Sequence, residues 1–171
     1  MPGVRVRTGL VLNPAVREFA RDSFQPCILE ELYCSPVFSL PSDSGQLVGF
    51  TQSLGAVFLH QGDSVHKVLN PPVFETSSSL GLFQLVQASG STMHGHYSDA
   101  KTFADSELET QRYLILLAAI FALDYLVFNT EARILYVYDH DQAVSVFGSD
   151  EATVGAIASR FSEYLSGLKE S

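Results

Sequence analysis

The sequence has too few cysteines for a disulfide framework or a zinc centre. Only Cys27 and Cys34 occur among 171 residues, and two thiols supply neither the four ligands of a structural zinc site nor a network of bridges. We expect free, buried thiols, the usual state in the cytoplasm. The apolar stretch near the start is interrupted at Asn13 and Pro14 and is too short for a secretory signal, so we predict a cytoplasmic protein.

Motifs for phosphate binding and nucleophilic catalysis are missing as well. The 12 glycines are scattered, and no segment has the spacing of a dinucleotide fingerprint or a P-loop. Ser77, Ser78 and Ser79 stand together without the glycines of a nucleophile elbow, so helix capping or a loop explains them better. We therefore predict no cofactor, no catalytic residues and a protein that is not an enzyme.

No apolar run is long enough to cross a membrane. A spanning helix needs about 20 apolar residues, whereas the run from Tyr113 to Leu123 has 11. Arg112 and Asp124 bracket this run, which favours a helix buried in the core on most of its faces, Ile120 included. A charge such as that of Asp124 is costly there unless it is paired, and we consider Arg133 as its partner.

Basic residues are scarce outside the first part of the chain. Lysine and arginine number 10 against 19 acidic residues, for a formal net charge of -9. From Asp22 onward 6 basic residues face 18 acidic ones, so 6 − 18 = -12. Such a field repels nucleic acid and anionic membranes and favours a basic partner, although solubility alone is an alternative reason for it.

The first half predicts one helix followed by strands. Asn13 can cap a helix that starts at Pro14, and one face of that helix is apolar at Val16, Phe19, Ala20 and Phe24. Residues 27–45 read as irregular. We predict strands at 47–52 and 56–60, and the turn QGDS leads into a strand at 64–69 that completes a hairpin. Residues 76–88 fit either a helix or a strand.

The second half predicts a helix, a hairpin and a final helix. Ser106 and Glu109 form a capping box before a helix over 107–125. Strands at 134–138 and 143–147 are joined across DHDQ. A last helix starts after Ser149, with an apolar stripe at Val154, Ile157, Ala158, Phe161, Leu165 and Leu168. We predict a single α+β domain over 1–171, in which a long central helix and a C-terminal amphipathic helix pack on an antiparallel sheet of short hairpins.

Two clusters could carry chemistry. In a strand, His94 and His96 would face one side and Asp99 could add a third metal ligand, but a solvated polar loop is the favoured interpretation, so we predict no metal. Asp139, His140 and Asp141 occupy the DHDQ turn. Flanking carboxylates could raise the histidine pKa or hold a cation, while turns also select aspartate for its backbone hydrogen bonds.

Three resemblances bear on function. The segments RYLILLAAIFALDY and LYVYDHDQAVSVFGSD resemble the C-terminal part of an uncharacterised bacterial family of unknown function, which has Asp-Arg-Gly where this chain has Asp139-His140-Asp141. Residues 47–88, with Phe74, Ser78-Ser79-Leu80 and Phe83, resemble the SUKH superfamily of bacterial immunity proteins, which implies a small acidic antidote that binds a toxin. The order of elements is similar to that of type III secretion chaperones, which act as dimers.

The sequence therefore predicts a domain that binds another protein. The first hypothesis is an immunity protein that occludes a toxin, with Asp63, Asp139, His140 and Asp141 as contacts at hairpin tips. One alternative is a secretion chaperone, a possible homodimer, that holds an effector segment in an apolar groove. The other is a metal-dependent hydrolase that uses His94, His96 and Asp99.

Overall fold

The computed structural model describes residues 5–6, 13–26, 29–58, 62–69 and 100–167. The predictions for His94, His96, Asp99, Cys27 and residues 76–88 lie outside these ranges. The helices are α1 (Pro14–Phe24), α2 (Ser44–Phe58), α3 (Leu108–Ile120) and α4 (Glu151–Gly167). The strands are β1 (Arg5–Val6), β2 (Tyr33–Cys34), β3 (Phe38–Ser39), β4 (Ser64–Val68), β5 (Lys101–Phe103), β6 (Tyr125–Asn129), β7 (Ile134–Asp139) and β8 (Ala143–Gly148).

All eight strands belong to one antiparallel sheet, with the order β1-β2-β8-β7-β6-β4-β5 and with β3 also paired to β8. Residues 27–45, predicted to be irregular, thus contribute β2, β3 and the 3-10 turn Leu29–Glu31. Between β2 and β3, Ser35 keeps the ladder intact, because its Oγ accepts from Val146 N at 3.0 Å while its N donates to Val146 O at 2.9 Å.

Helices cover both faces of this sheet. Strand side chains alternate between faces, so Tyr125, Val127 and Tyr136 pack against α2, α3 and α4, while Leu126 and Leu135 pack against α1. Every residue of β6 is buried as a result. The predicted α+β class is confirmed.

The first helix forms as its sequence predicts. Asn13 Oδ1 accepts from Ala15 N at 3.0 Å, Pro14 occupies the first helical position, and the four predicted apolar residues are buried. Phe24 meets Phe128 of the sheet edge to face, with ring centroids 5.1 Å apart. The C-terminal helix is likewise confirmed, and Val154, Ile157, Ala158 and Phe161 are buried against the sheet.

The strands predicted at 47–52 and 56–60 are wrong, because 47–52 and 56–58 belong to helix α2, while residues 59–60 lie outside the described ranges. Asp43 Oδ1 accepts from Gln46 N at 2.9 Å and caps the helix. Leu47, Phe50 and Thr51 are buried at helical spacing. The hairpin predicted before 64–69 is wrong for the same reason: β4 is a strand, but its partners are β5 and β6.

The central helix is shorter and more exposed than predicted. It ends at Ile120 rather than at Tyr125, which begins β6. Leu114, Ile115, Ala118 and Ala119 are buried, whereas Tyr113 and Ile120 are 59% and 46% exposed, so the expectation that Ile120 is a core residue is wrong. No helix among the described residues is both long and apolar enough to cross a membrane.

The predicted capping box of α3 is also replaced. Glu107 Oε2, not Glu109, accepts from a backbone donor, the N of Ala104, at 2.8 Å. Glu109 instead pairs with Arg112 one turn later, at 2.7 Å. The hairpin of β7 and β8 forms as predicted, and Cys34 is buried, with its Sγ donating to Ser35 O at 3.1 Å.

Candidate functional site

The turn between β7 and β8 is held by Asp139. Its Oδ1 accepts from Asp141 N at 3.0 Å and from Ala143 N at 3.1 Å. Gln142 closes the turn in the left-handed region, with φ 54°, and its N donates to Asp139 O at 3.1 Å. Aspartate is common in turns because it accepts such backbone hydrogen bonds, so the Asp139 carboxylate stabilises this turn.

Asp124 anchors the same turn from the neighbouring strand. It directly precedes β6, where Tyr125 pairs with Tyr138. Its Oδ1 accepts from His140 N at 3.0 Å and from His140 Nδ1 at 2.9 Å. The Asp124 side chain is 10% exposed and that of His140 is 68% exposed, so a nearly buried carboxylate fixes an exposed imidazole.

The predicted pairing of Asp124 with Arg133 is not what holds this carboxylate. Arg133 lies at the opposite end of the β6–β7 pair, next to Ile134. There its Nη2 donates to the carbonyl oxygens of Phe24 and Gln25, at 2.6 and 3.1 Å. His140, the first residue after β7, makes the two hydrogen bonds to the Asp124 carboxylate described above.

The charges around His140 are all acidic. Its hydrogen bond to Asp124, followed by the charges of Asp124, Asp141 and Asp139, raises the pKa of His140 above its usual value. Asp141 Oδ1 lies 4.0 Å from His140 Nε2 and its side chain is 85% exposed. We call Asp124, Asp139, His140 and Asp141 the acidic tip.

No lysine or arginine in the described part of the chain forms an ion pair with Asp139 or Asp141. Asp43, which sequence reasoning did not select, belongs to the same end of the molecule. Leu40 N donates to Gln142 O at 2.7 Å, and three residues of chain lead from Leu40 to Asp43. Nothing in the sequence pointed to Asp43, because the segment after it was predicted to be a strand.

Asp63 lies away from the acidic tip. It precedes β4, whose first residue Ser64 pairs with Asn129, at the far end of β6 from Tyr125. Its carbonyl oxygen accepts from Thr130 N and Thr130 Oγ1, at 3.0 and 2.7 Å. Asp63 and the acidic tip thus lie at opposite ends of β6, whose residues rise by about 3.3 Å each. The four predicted contact residues therefore belong to two separate surfaces.

A second polar cluster lies inside the core. Ser64 Oγ and His66 Nε2 are 2.8 Å apart, His66 Nδ1 and Tyr125 Oη are 2.9 Å apart, and Ser64 also donates to Gln111 Oε1. Gln111 Nε2 completes the chain by donating to Ala104 O at 2.9 Å. Burial lowers the pKa of His66 to about 4, so this histidine is neutral.

This cluster resembles a serine–histidine pair in its distances but not in its access. Ser64 is fully buried and His66 is 2% exposed, whereas a nucleophile must reach its substrate. The geometry fits a network that satisfies buried polar groups. The network was not predicted from the sequence, because its hydrogen-bonded partners are up to 59 residues apart along the chain.

Among the described residues, no group of three or more histidine, cysteine, aspartate or glutamate side chains is arranged to hold a metal ion. The sequence matches no family model and no curated protein, and the structure matches no solved structure. The family resemblances drawn from the sequence remain predictions.

Proposed function

We propose that this protein is a cytoplasmic, non-enzymatic protein-binding domain that acts as an immunity protein and neutralises a bacterial toxin by occlusion. The acidic tip would cover a basic region around the active site of the toxin. The observation that carries the proposal is the acidic tip itself, whose exposed Asp141 has no lysine or arginine partner among the described residues.

Hydrogen bonds fix the conformation of the acidic tip before a partner binds. Asp139 makes two hydrogen bonds within the turn, and Asp124 makes two to His140. A turn fixed in this way loses little conformational entropy on binding. An acidic patch also steers a basic partner during diffusion and raises the association rate.

Exposed apolar side chains lie close in the sequence to Asp124 of the acidic tip. Ile120 and Phe121 end α3 with exposed side chains, and Phe121 is three residues before Asp124. Interfaces commonly combine an apolar centre with a polar or charged rim. The end of α3 would supply the apolar centre of the interface, and the acidic tip would supply its charged rim.

The test compares two charge reversals at opposite ends of the sheet. Asp141→Lys changes the tip without removing a hydrogen bond that holds the turn, and Asp63→Lys makes the same charge change at the far end. After affinity capture of the partner from the native host, we expect Asp141→Lys to slow association by about tenfold at low salt. The difference should shrink at high salt, where charges are screened.

Asp63→Lys should leave the association rate close to that of the unchanged protein. Slower association for Asp63→Lys alone would move the interface to the opposite end of the sheet. Equal rates for both variants and the unchanged protein would remove the acidic tip from the interface. Capture of a partner without toxin activity would contradict the immunity role itself.

A groove between α2 and α3 favours the chaperone as the second candidate. Its volume is about 400 Å³. Val48, Leu116 and the exposed Tyr113 supply its apolar lining, and Thr51, Gln52, Glu109 and Arg112 its polar lining. An apolar side chain of an effector segment would fit there. If this groove is the binding site, Tyr113→Ala accelerates dissociation, and Asp141→Lys leaves association unchanged.

A further inference from the structure

The face of the sheet that packs on α1 contains a cavity that the proposed function does not use. Its volume is about 400 Å³, within the usual range for small-molecule sites. Its walls are one side of α1 and the neighbouring surface of β4 and β6. Glu18, Phe19, Asp22, Val65, Lys67 and Phe128 line it.

Charges of both signs face this cavity without neutralising one another. Glu18 and Asp22 are one turn apart on α1, and Lys67 comes from β4. None of the three forms an ion pair with another described residue. Like charges at this helical spacing repel, and a cationic group of a ligand placed near both carboxylates would relieve that repulsion.

Lys67 is held over an aromatic ring instead of a carboxylate. Its Nζ lies 5.9 Å from the ring centroid of Phe19, a cation–π distance. The ammonium therefore has a defined place beside the apolar floor of Phe19, Val65 and Phe128. That floor offers apolar surface to the aliphatic part of a ligand.

We propose that this cavity binds a free basic amino acid, such as arginine or lysine. The two cationic groups of the ligand would meet Glu18 and Asp22, its carboxylate would meet Lys67, and its methylene chain would lie on the floor. Charge-assisted hydrogen bonds of this kind are stronger than neutral ones. The site is separate from the acidic tip, so it does not depend on the proposed partner.

Titration calorimetry with the whole protein tests the proposal. We expect saturable binding of L-arginine and L-lysine and none of L-glutamate. Replacing the two carboxylates together, Glu18→Gln with Asp22→Asn, should weaken arginine binding by about tenfold or more. Glu163→Gln, which removes an exposed carboxylate from α4 on the other side of the sheet, is the matched control and should bind as the unchanged protein does.

Ligand analogues assign the role of Lys67. Agmatine keeps the guanidinium and an amine-bearing chain but has no carboxylate. Lys67→Gln should therefore weaken arginine binding by about tenfold and leave agmatine binding unchanged. Unchanged agmatine binding also shows that the variant is folded.

Three results would overturn the proposal. The first is the absence of saturable arginine binding. The second is equal arginine affinity in the unchanged protein, the double variant and Lys67→Gln. The third is N-acetyl-arginine binding as tightly as arginine, which would assign the cavity to the C-terminus of a peptide, since that analogue has lost the α-ammonium.

Discussion

At the scale of single residues, two histidines occupy opposite electrostatic environments. His66 is enclosed by Ser64, Gln111 and Tyr125 in the core, where burial opposes its charge and lowers its pKa. His140 is exposed among carboxylates that favour its charge and raise its pKa. Protonation of His66 therefore lowers the stability of the fold, whereas protonation of His140 raises it.

The first prediction concerns His66. Its folded pKa is about 4, below the usual value of about 6.5. Between those pH values the unfolded chain binds a proton that the folded chain does not. Stability should therefore fall as the pH drops from about 6.5 toward 4, by about 1.4 kcal/mol per pH unit and about 3 kcal/mol in total.

Urea denaturation between pH 4.5 and 7.5 measures this dependence. His66→Gln removes the titrating group, so its loss of stability over the acid range should be smaller than that of the unchanged protein. His140→Gln is the control. It removes a group whose contribution is present below pH about 6.5 and is lost as the pH rises through its raised folded value. Identical acid dependence with and without His66 would contradict the prediction.

At the scale of elements, local rules predicted those elements that local interactions stabilise. Helix α1 has a cap, a proline and an apolar stripe, and α4 has a regular stripe. The hairpin of β7 and β8 pairs two consecutive strands, so a short turn between them is enough to predict it. Each of these signals lies within a few neighbouring residues, so no knowledge of distant contacts is required.

Helix α2 was misread because tertiary packing overrides its local propensity. Its glycines and β-branched residues disfavour a helix. Gly49, however, lies where an added Cβ would overlap the hydroxyl of Tyr164 in α4. Tyr164 Oη donates to Gln46 O at 3.2 Å, so the glycine permits close packing of two helices rather than marking a strand or a turn.

The end of α3 was missed because its stop signal uses an alanine. Leu123 N donates to Ala118 O at 2.9 Å, and Ala122 N to Ala119 O at 3.3 Å. This is the Schellman pattern, in which the left-handed residue just after the helix, here the donor to Ala119 O, is usually glycine. Ala122 holds that position with φ 49°. Without a glycine to mark the stop, the helix was predicted to continue to Tyr125, the first residue of β6.

The second prediction follows from this alanine. A non-glycine residue in the left-handed conformation costs about 1–2 kcal/mol, so Ala122→Gly should raise the free energy of unfolding. The greater freedom of glycine in the unfolded chain offsets part of that gain, and we expect a net increase of about 0.5–1 kcal/mol.

Ala156→Gly is the matched control, because Ala156 is exposed in the interior of α4. The same substitution there should lower stability by about 1 kcal/mol. Both values come from chemical denaturation at one pH. If Ala122→Gly lost as much stability as Ala156→Gly, the left-handed end of α3 would be wrong.

At the scale of the whole molecule, the candidate sites depend on contacts between distant segments. The DHDQ turn was predictable, because a hairpin is local. Its anchoring by Asp124 and the separation of Asp63 from it follow from the strand order. The cavity beside α1 is lined by residues of α1, β4 and β6, which are distant in the sequence and meet only in the folded protein.

The third prediction concerns stability across the sheet. Strands β6 and β7 lie inside the strand order, with apolar side chains packed on both faces. Their amides can exchange only when the sheet and its helical layers separate. Strands β1 and β2 are two residues each, and they can open without disturbing the strands beyond β8.

Native-state hydrogen exchange distinguishes these regions. The amides of Tyr125–Asn129 and Ile134–Asp139 should be the slowest, with opening free energies close to that of global unfolding. The amides of β1 and β2 should open at a lower cost. Phe24→Ala on the α1 side should lower the protection of β6 and β7, because both faces of these strands belong to one cooperative unit. If that variant left β6 fully protected, the α1 layer would be energetically separate from the rest of the core.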